Sequence, residues 1–130
     1  MDAAQALADL TEISSQIVQA AVFRADGDVL ASTFGDETRA RRFVEGVARL
    51  VDAAEAVREA HGLPGLAQVE AATLDGSLFV VRGGNGGPAI AAVTRPDPTV
   101  GLVFYDLKHC LRSVDEKKPR ARRKKADGAS

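Results

Sequence analysis

The segment Lys117–Lys125 (KKPRARRKK) is the part of this sequence whose residue types most directly suggest a chemical role. It holds seven positive charges in nine residues, and such a run attracts nucleic acid, anionic lipid or an acidic protein surface in a salt-dependent way. It has no aromatic residue for base stacking and no lipidation signal. A generic electrostatic tail, a nucleic-acid or membrane tether, and a segment lying on the protein's own acidic body therefore all stay open. The charges belong to Lys117, Lys118, Arg120, Arg122, Arg123, Lys124 and Lys125.

A glycine-rich run from Gly83 to Gly87 invites comparison with a phosphate-binding loop, because exposed glycine N–H groups can cradle phosphate. A P-loop also requires Lys and a hydroxyl residue that lead into a helix. Here Pro88 and an apolar, strand-like segment follow the glycines. We therefore interpret Gly83–Gly87 as a flexible hairpin turn.

The residues that could bind a metal are few. His61 and His109 are the two histidines, and Cys110 is the single cysteine. Adjacent residues of a helix point about 100° apart, so His109 and Cys110 cannot converge on one ion. No metal or cofactor site is predicted.

Two acid pairs have the residue types of general acid–base catalysts. Asp26 and Asp28 flank a turn glycine, and Asp36 and Glu37 stand where a helix begins, so local structure accounts for both pairs. No catalytic residue is predicted, and we do not expect an enzyme.

Composition and charge divide the chain into two parts. Its 130 residues, 45% of them apolar, suffice for one packed domain. Residues 1–116 carry 10 Lys and Arg against 17 Asp and Glu, a net charge of −7, whereas residues 117–130 carry 7 against 1, a net charge of +6. We predict a domain over 1–116 and a basic disordered tail over 117–130. The single cysteine and the lack of a run of about 20 apolar residues predict a cytoplasmic protein without a transmembrane segment.

The element that must position the rest is a long amphipathic helix predicted over 38–61. Asp36 can cap its first N–H groups, and Gly62 and Pro64 end it. Two apolar rows run along it and form an arc of roughly 180°, wider than one buried stripe needs. We assign the first row to the protein's own sheet and the second to another partner. The first row is Phe43, Val47, Leu50, Ala54 and Val57, and the second is Val44, Ala48 and Val51.

Alternating apolar residues and turn signals predict the other elements. They are a helix over 3–16, strands over 18–24, 29–34, 66–74, 77–82 and 88–94, and a final helix that begins near Val100. The apolar run Leu78–Val81 predicts a strand covered on both faces. The fold class is α+β, in the order α-β-β-α-β-β-β-α, with a five-stranded, mainly antiparallel sheet and helices on both faces.

This order resembles the roadblock / dynein-light-chain family over about residues 3–115. The segments that carry the resemblance are VQAAVFRADGDVLAST, the long second helix, LFVVRGGNGGPAIAAV and VGLVFYDLKHCL. Profilins and longin domains share the topology. The resemblance implies a roadblock/profilin-like fold and a protein without enzymatic activity of its own.

Members of that family dimerise by placing their second helices side by side and joining sheet edges at the third strand. The second apolar row would then face the same helix of another subunit. The dimer-interface residues that the resemblance implies are Val44, Ala48, Val51, Glu55, Val69 and Ala71.

The resemblance also implies partners. Bacterial members bind small Ras-like GTPases or are encoded with sensor kinases, so a GTPase regulator or signalling adaptor is the leading expectation. Arg39, Arg42 and Arg49 of the long helix have the chemistry of an arginine finger, but bacterial members act by remodelling the GTPase's own residues. A module tethered by its basic tail to nucleic acid or membrane, a scaffold in a sensor-kinase complex, and a small-ligand sensor are the alternatives.

Overall fold

The order of helices and strands is the predicted one. The computed structural model describes residues 1–84 and 86–114, and the predicted disorder of 117–130 lies outside them. The elements are α1 (Ala3–Ile13), β1 (Ile17–Phe23), β2 (Val29–Ser32), α2 (Glu37–Ala60), β3 (Gln68–Thr73), β4 (Gly76–Arg82), β5 (Ala89–Thr94) and α3 (Val100–Ser113).

The five strands form one sheet in the order β2-β1-β5-β4-β3, and every neighbouring pair is antiparallel. A hairpin (β1–β2) and a meander (β3–β4–β5) are joined where β1 pairs with β5. α2 carries the chain from β2 at one edge to β3 at the other. The predicted five-stranded antiparallel sheet is confirmed, and β2 and β3 are its edge strands.

Strand residues alternate between two apolar layers because successive side chains point to opposite faces. In β4, Phe79 and Val81 pack in the layer beneath α1 and α3, and Val80 packs beneath α2. All three are buried, so the prediction that this strand is covered on both faces is confirmed. The two layers place α1 and α3 on one face and α2 alone on the other.

The ends of α2 follow its capping residues. The Asp36 side chain accepts a hydrogen bond of 2.8 Å from the Thr38 N–H, and Gly62 adopts φ +65° just after the helix. The Leu63 N–H then bonds to the Arg58 carbonyl at 3.0 Å. These boundaries lie within one residue of the predicted 38–61.

α1 ends at Ile13, three residues earlier than predicted. Ser14 is extended, at φ −113° and ψ 112°. Gln16 bonds to the segment after β5: its carbonyl accepts from the Arg95 N–H at 2.9 Å, and its side-chain oxygen accepts from the Thr99 N–H at 2.6 Å. These long-range bonds draw residues 14–16 out of the helix.

The turn between β3 and β4 yields a test of the fold. Gly76 has φ +153°, and a Cβ atom built there would lie 2.4 Å from the Thr94 carbonyl oxygen of β5. We expect Gly76→Ala to lower the free energy of unfolding by about 2–4 kcal/mol, because the strand backbone must shift. Gly65→Ala is the control, since open space surrounds Gly65, and we expect a change within about 0.5 kcal/mol. Denaturant unfolding measures both, and equal losses would contradict the packing described here.

Candidate functional site

The row of α2 that faces the sheet is Ala40, Val44, Val47 and Val51, spaced at i, i+4, i+7 and i+11. Val44 is only 1% exposed, and it packs with Val47, Ala91 and Val80 in the layer beneath α2. The prediction that Val44 faces a second subunit is therefore wrong, because its side chain is buried against residues of its own chain. Val51 is half-buried and packs against the same layer.

A second apolar row of α2 consists of Phe43, Leu50 and Val57, which we call the helix-flank row; Phe43 packs against the layer beneath α2, as predicted. A seven-residue repeat drifts only about 20° per step on an α-helix, so this row runs nearly straight. It lies about 100–140° around the helix from Val44. Val57 is 59% exposed and Leu50 is half-buried, so the assignment of this row to the protein's own sheet is wrong for Val57.

Phe43 anchors the N-terminal end of the helix-flank row. Its ring lies 5.1 Å from that of Phe34, between centroids, and the Arg39 guanidinium lies 5.5 Å from the Phe34 centroid. Arg39 therefore packs on an aromatic ring of its own chain. The other two arginines considered for an arginine finger, Arg42 and Arg49, are exposed.

Glu55, predicted from the resemblance to lie in the interface, binds two arginines of its own chain. Its carboxylate accepts from Arg58 on α2 and from Arg82 at the end of β4. The hydrogen bonds from Arg58 and then Arg82 lower the pKa of the Glu55 carboxyl below its ordinary value. Arg58 also donates to the Leu63 carbonyl at 3.0 Å. This cluster ties the C-terminal half of α2 to the sheet.

The C-terminal half of α2, with Leu50 and Val57, leads into the edge strand β3. Arg41 and Glu45, on the opposite flank of α2, line a concavity with the β1–β2 hairpin, and this flank therefore faces the β2 edge. Phe43 packs on Phe34, which also lines this concavity, so only Leu50 and Val57, in the C-terminal half of α2, lie away from it. Among the described residues β3 pairs with β4 alone, so the N–H and C=O groups of its outer edge are free for another strand.

Three further residues predicted to lie in the interface are found on β3 and α2. Val69 and Ala71 of β3 are half-buried, and they pair with Val80 and Leu78 of β4 on the α2 face. Ala48 is half-buried, but it lies on the side of α2 away from the helix-flank row. Val69 and Ala71 thus lie on the sheet face that α2 covers, in the edge strand β3.

The glycine-rich run forms the turn between β4 and β5. The Gly83 N–H bonds to the Pro88 carbonyl at 2.8 Å, and the Gly87 N–H bonds to the Gly84 carbonyl at 3.0 Å. These two amides serve the turn and are not free to hold a phosphate. Its surroundings, a strand on either side, are those of a hairpin.

The residues considered as metal ligands do not converge. His61 is the C-cap of α2, His109 is exposed and stacks on Tyr105 with 6.4 Å between centroids, and Cys110 is buried. Within residues 1–84 and 86–114, no group of three or more His, Cys, Asp or Glu residues is arranged to hold a metal ion.

Cys110 lies in the core between α3 and α1. It is 4% exposed, and its Sγ donates to the Ala6 carbonyl at 3.4 Å. Burial, with a smaller contribution from the charge of Asp9, raises the pKa of this thiol to about 11. The geometry is that of a structural thiol.

A feature that the sequence did not reveal is a concavity of about 850 Å³ beside the β2 edge, which we call the β2 cleft. Both acid pairs line it. Their predicted local roles hold for Asp26, which accepts from the Asp28 N–H at 2.9 Å, and for Asp36, the α2 cap. Folding nevertheless brings all five carboxylates of the hairpin and of early α2 to one cleft. They are Asp26, Asp28, Asp36, Glu37 and Glu45.

The basic residues Lys117, Lys118, Arg120, Arg122, Arg123, Lys124 and Lys125 lie outside the described part of the chain. In the described part, no helix is both long enough and apolar enough to cross a membrane.

Comparison with solved structures shows the fold to be that of roadblock/LC7 domains. A roadblock/LC7 domain of Streptomyces avermitilis superposes with a TM-score of 0.78 at 18% identity, over 87% of this chain and 94% of that one. The gliding protein MglB of Thermus thermophilus gives 0.69 at 17% identity, over 84% and 82%. LokiProfilin2, in a complex with rabbit actin, gives 0.56 at 12% identity, over 83% and 91%. The fold is therefore more similar to these two structures than to the profilin.

Sequence comparisons add nothing to this result. No family model matches the chain, and no curated protein matches it.

The buried thiol yields a test of the core between α1 and α3. A rise in the Cys110 pKa from 9.0 to about 11 lowers the thiolate fraction at pH 8 by about 100-fold. We expect iodoacetamide to alkylate the native protein at least about 100-fold more slowly than the denatured protein at that pH. The raised pKa also means that Cys110 favours the folded state fully below pH 9.0, and that this contribution falls as the pH rises toward about 11. Alkylation at the same rate in both states would contradict the burial of Cys110.

Proposed function

We propose that this chain is a non-enzymatic, homodimeric regulator or adaptor that binds a small Ras-like GTPase through a surface composed of both subunits. The observation that carries the proposal is the apolar part of the helix-flank row that the chain leaves uncovered, Leu50 and Val57, together with the open edge of β3. The roadblock/LC7 and MglB folds support it, as does the family resemblance of the sequence. We further propose a cytoplasmic location, with a sensor kinase as a second partner.

The proposed dimer places two copies of α2 antiparallel and joins the two β3 edges into one continuous sheet. Each helix-flank residue is followed three positions later by a small residue, so the two repeats together resemble the a and d positions of a heptad. Small residues there let two helices approach to the lower part of the usual 8–10 Å range. These small residues are Gly46, Ala53 and Ala60. Val69 and Ala71 would continue the apolar contact onto β3.

The proposed action on the GTPase is differential binding. A regulator can shift the switch segments of a GTPase only if it binds one nucleotide state more tightly than the other. Two antiparallel α2 helices would present a two-fold symmetric ridge with charged flanks. The exposed residues Arg42, Arg49 and Asp52 lie on those flanks, outside both apolar rows.

The dimer is tested by two substitutions whose effects should differ. Val57→Glu should give a monomer, because a carboxylate in an apolar seam costs several kcal/mol, roughly 2–7 without a hydrogen-bond partner. Val44→Ala should lower the free energy of unfolding by about 2–3 kcal/mol and leave the dimer intact, since Val44 belongs to the core. Light scattering and denaturant unfolding measure the two effects.

Ile13→Glu is the matched control for Val57→Glu. Ile13 is also an exposed apolar helical residue, at 64%, but it lies on the α1–α3 face. Its substitution should leave the dimer mass unchanged. If Val57→Glu also leaves the mass of the dimer unchanged, the helix-flank row is not the seam.

The GTPase partner is tested by pull-down with a Ras-like GTPase from the same genome, loaded with GDP or with a non-hydrolysable GTP analogue. We expect one state to bind at least about fivefold more tightly, the lower end of ordinary coupling between sites. Ile13→Glu should retain this binding, and Val57→Glu should lose it if both subunits form the surface. Equal binding to the two nucleotide states, or absent binding to both, would contradict the proposed function.

A further inference from the structure

The β2 cleft, a concavity of about 850 Å³, runs along the outer edge of β2. All four residues of β2 line it, together with the hairpin turn and the first turns of α2. A second concavity of about 260 Å³ lies on the other side of β2, against α1. Among the described residues, β2 pairs only with β1. The strand is therefore open along its outer edge.

We propose that the segment Lys117–Lys125 occupies the β2 cleft of its own chain. The basic tail is then an internal ligand of the domain, and it covers the open β2 edge. This inference concerns a different surface from the proposed dimer seam, and it does not depend on dimerisation.

Charge complementarity selects this occupant. Five carboxylates line the cleft and Arg41 is the one cationic side chain among the lining residues. Within residues 1–84 and 86–114, the ion pairs join Glu55 and Glu59 to Arg58 and Arg82, and none involves a cleft carboxylate. The seven positive charges of Lys117–Lys125 exceed what is needed to neutralise the cleft. Since Pro119 has no N–H group, we assign the contact to side-chain charges rather than to strand addition.

α3 ends near the end of the sheet from which the β1–β2 hairpin turn projects, so the tail that follows α3 starts close to the β2 cleft. Val114 shares a concavity with Gly83 and Pro88, where β4 ends and β5 begins. Phe23, the last residue of β1, pairs with Ala89, so the hairpin turn projects from the same end. β5 and β2 are two strand spacings apart, about 10 Å. Residues 115–125 can span up to about 36 Å when extended, which leaves enough chain to pass around the end of the sheet.

The experiment uses the full-length chain with a spin label on Ala126→Cys. Native Cys110 can stay, because its buried thiol does not compete for the label. We expect paramagnetic broadening of the amide signals of residues 26–32 and 36–41 at about 0.01 M salt, where the Debye length is about 30 Å. The broadening should disappear at about 1 M salt, where the Debye length is about 3 Å.

The charge variant is Asp28→Asn, Glu37→Gln and Glu45→Gln combined, since these three side chains make no hydrogen bond among the described residues. It should abolish the broadening. The matched control removes three exposed charges elsewhere, by Glu12→Gln, Asp75→Asn and Asp97→Asn, and should retain it.

A second measurement separates this proposal from a free nucleic-acid arm. If the tail is released from the cleft only a tenth of the time, the charge variant should bind a DNA duplex about tenfold more tightly than the parent protein. Equal DNA binding by the two proteins would overturn the proposal. Broadening centred on the α1–α3 face, broadening only between labelled and unlabelled chains, or none at low salt would also overturn it.

Discussion

The constraint on which the structure depends is that one helix has to cover a face of a five-stranded sheet. Five strands about 4.8 Å apart are roughly 20 Å across, whereas an α-helix with its side chains is about 10–12 Å wide. α1 and α3 together cover one face. α2 alone lies over the other, so an uncovered margin remains on each side of it.

The two margins differ in chemistry, and the sequence of α2 accounts for the difference. In the half of the helix that leads into β3, α2 presents Leu50 and Val57, and this margin is apolar. On the β2 side it presents Arg41 and Glu45, and the hairpin adds Asp26 and Asp28, so that margin is polar and acidic. An apolar margin favours a protein surface of the same kind, and an acidic one favours basic groups. The proposed dimer seam and the proposed tail site therefore both follow from the fact that α2 alone covers this face of the sheet.

Sequence reasoning predicted the elements well because their signals are local. The Asp36 cap and Gly62 located α2 to within one residue, and the two-sided apolar run located β4. It failed for residues 14–16, where Gln16 bonds to a segment about 80 positions away. Such a contact leaves no mark on local periodicity.

The site was only half predictable for a related reason. Periodicity showed that the apolar arc of α2 is too wide for one buried stripe. An arc of roughly 180° has two sides, and periodicity alone does not tell which side packs on the sheet. Val44 and Val57 were consequently assigned the wrong way round. The half-buried pair Glu55 and Arg58 fixes the helix rotation through Arg82, which is distant in sequence. The residues of the β2 cleft all lie within 26–45, and only the fold of the hairpin against the start of α2 brings their carboxylates to one concavity.

The shortness of β2 bears on how far assembly can proceed. A dimer joined at β3 would have a β2 strand at each outer end, and an exposed strand edge is a template for endless addition of further chains. With only four residues, β2 offers few backbone N–H and C=O groups to the strand of another chain. In the proposed arrangement, the basic tail would also lie across that edge and hinder another copy. The sheet would therefore stop growing at two subunits, and the short, covered β2 edge would act as a barrier to fibre formation.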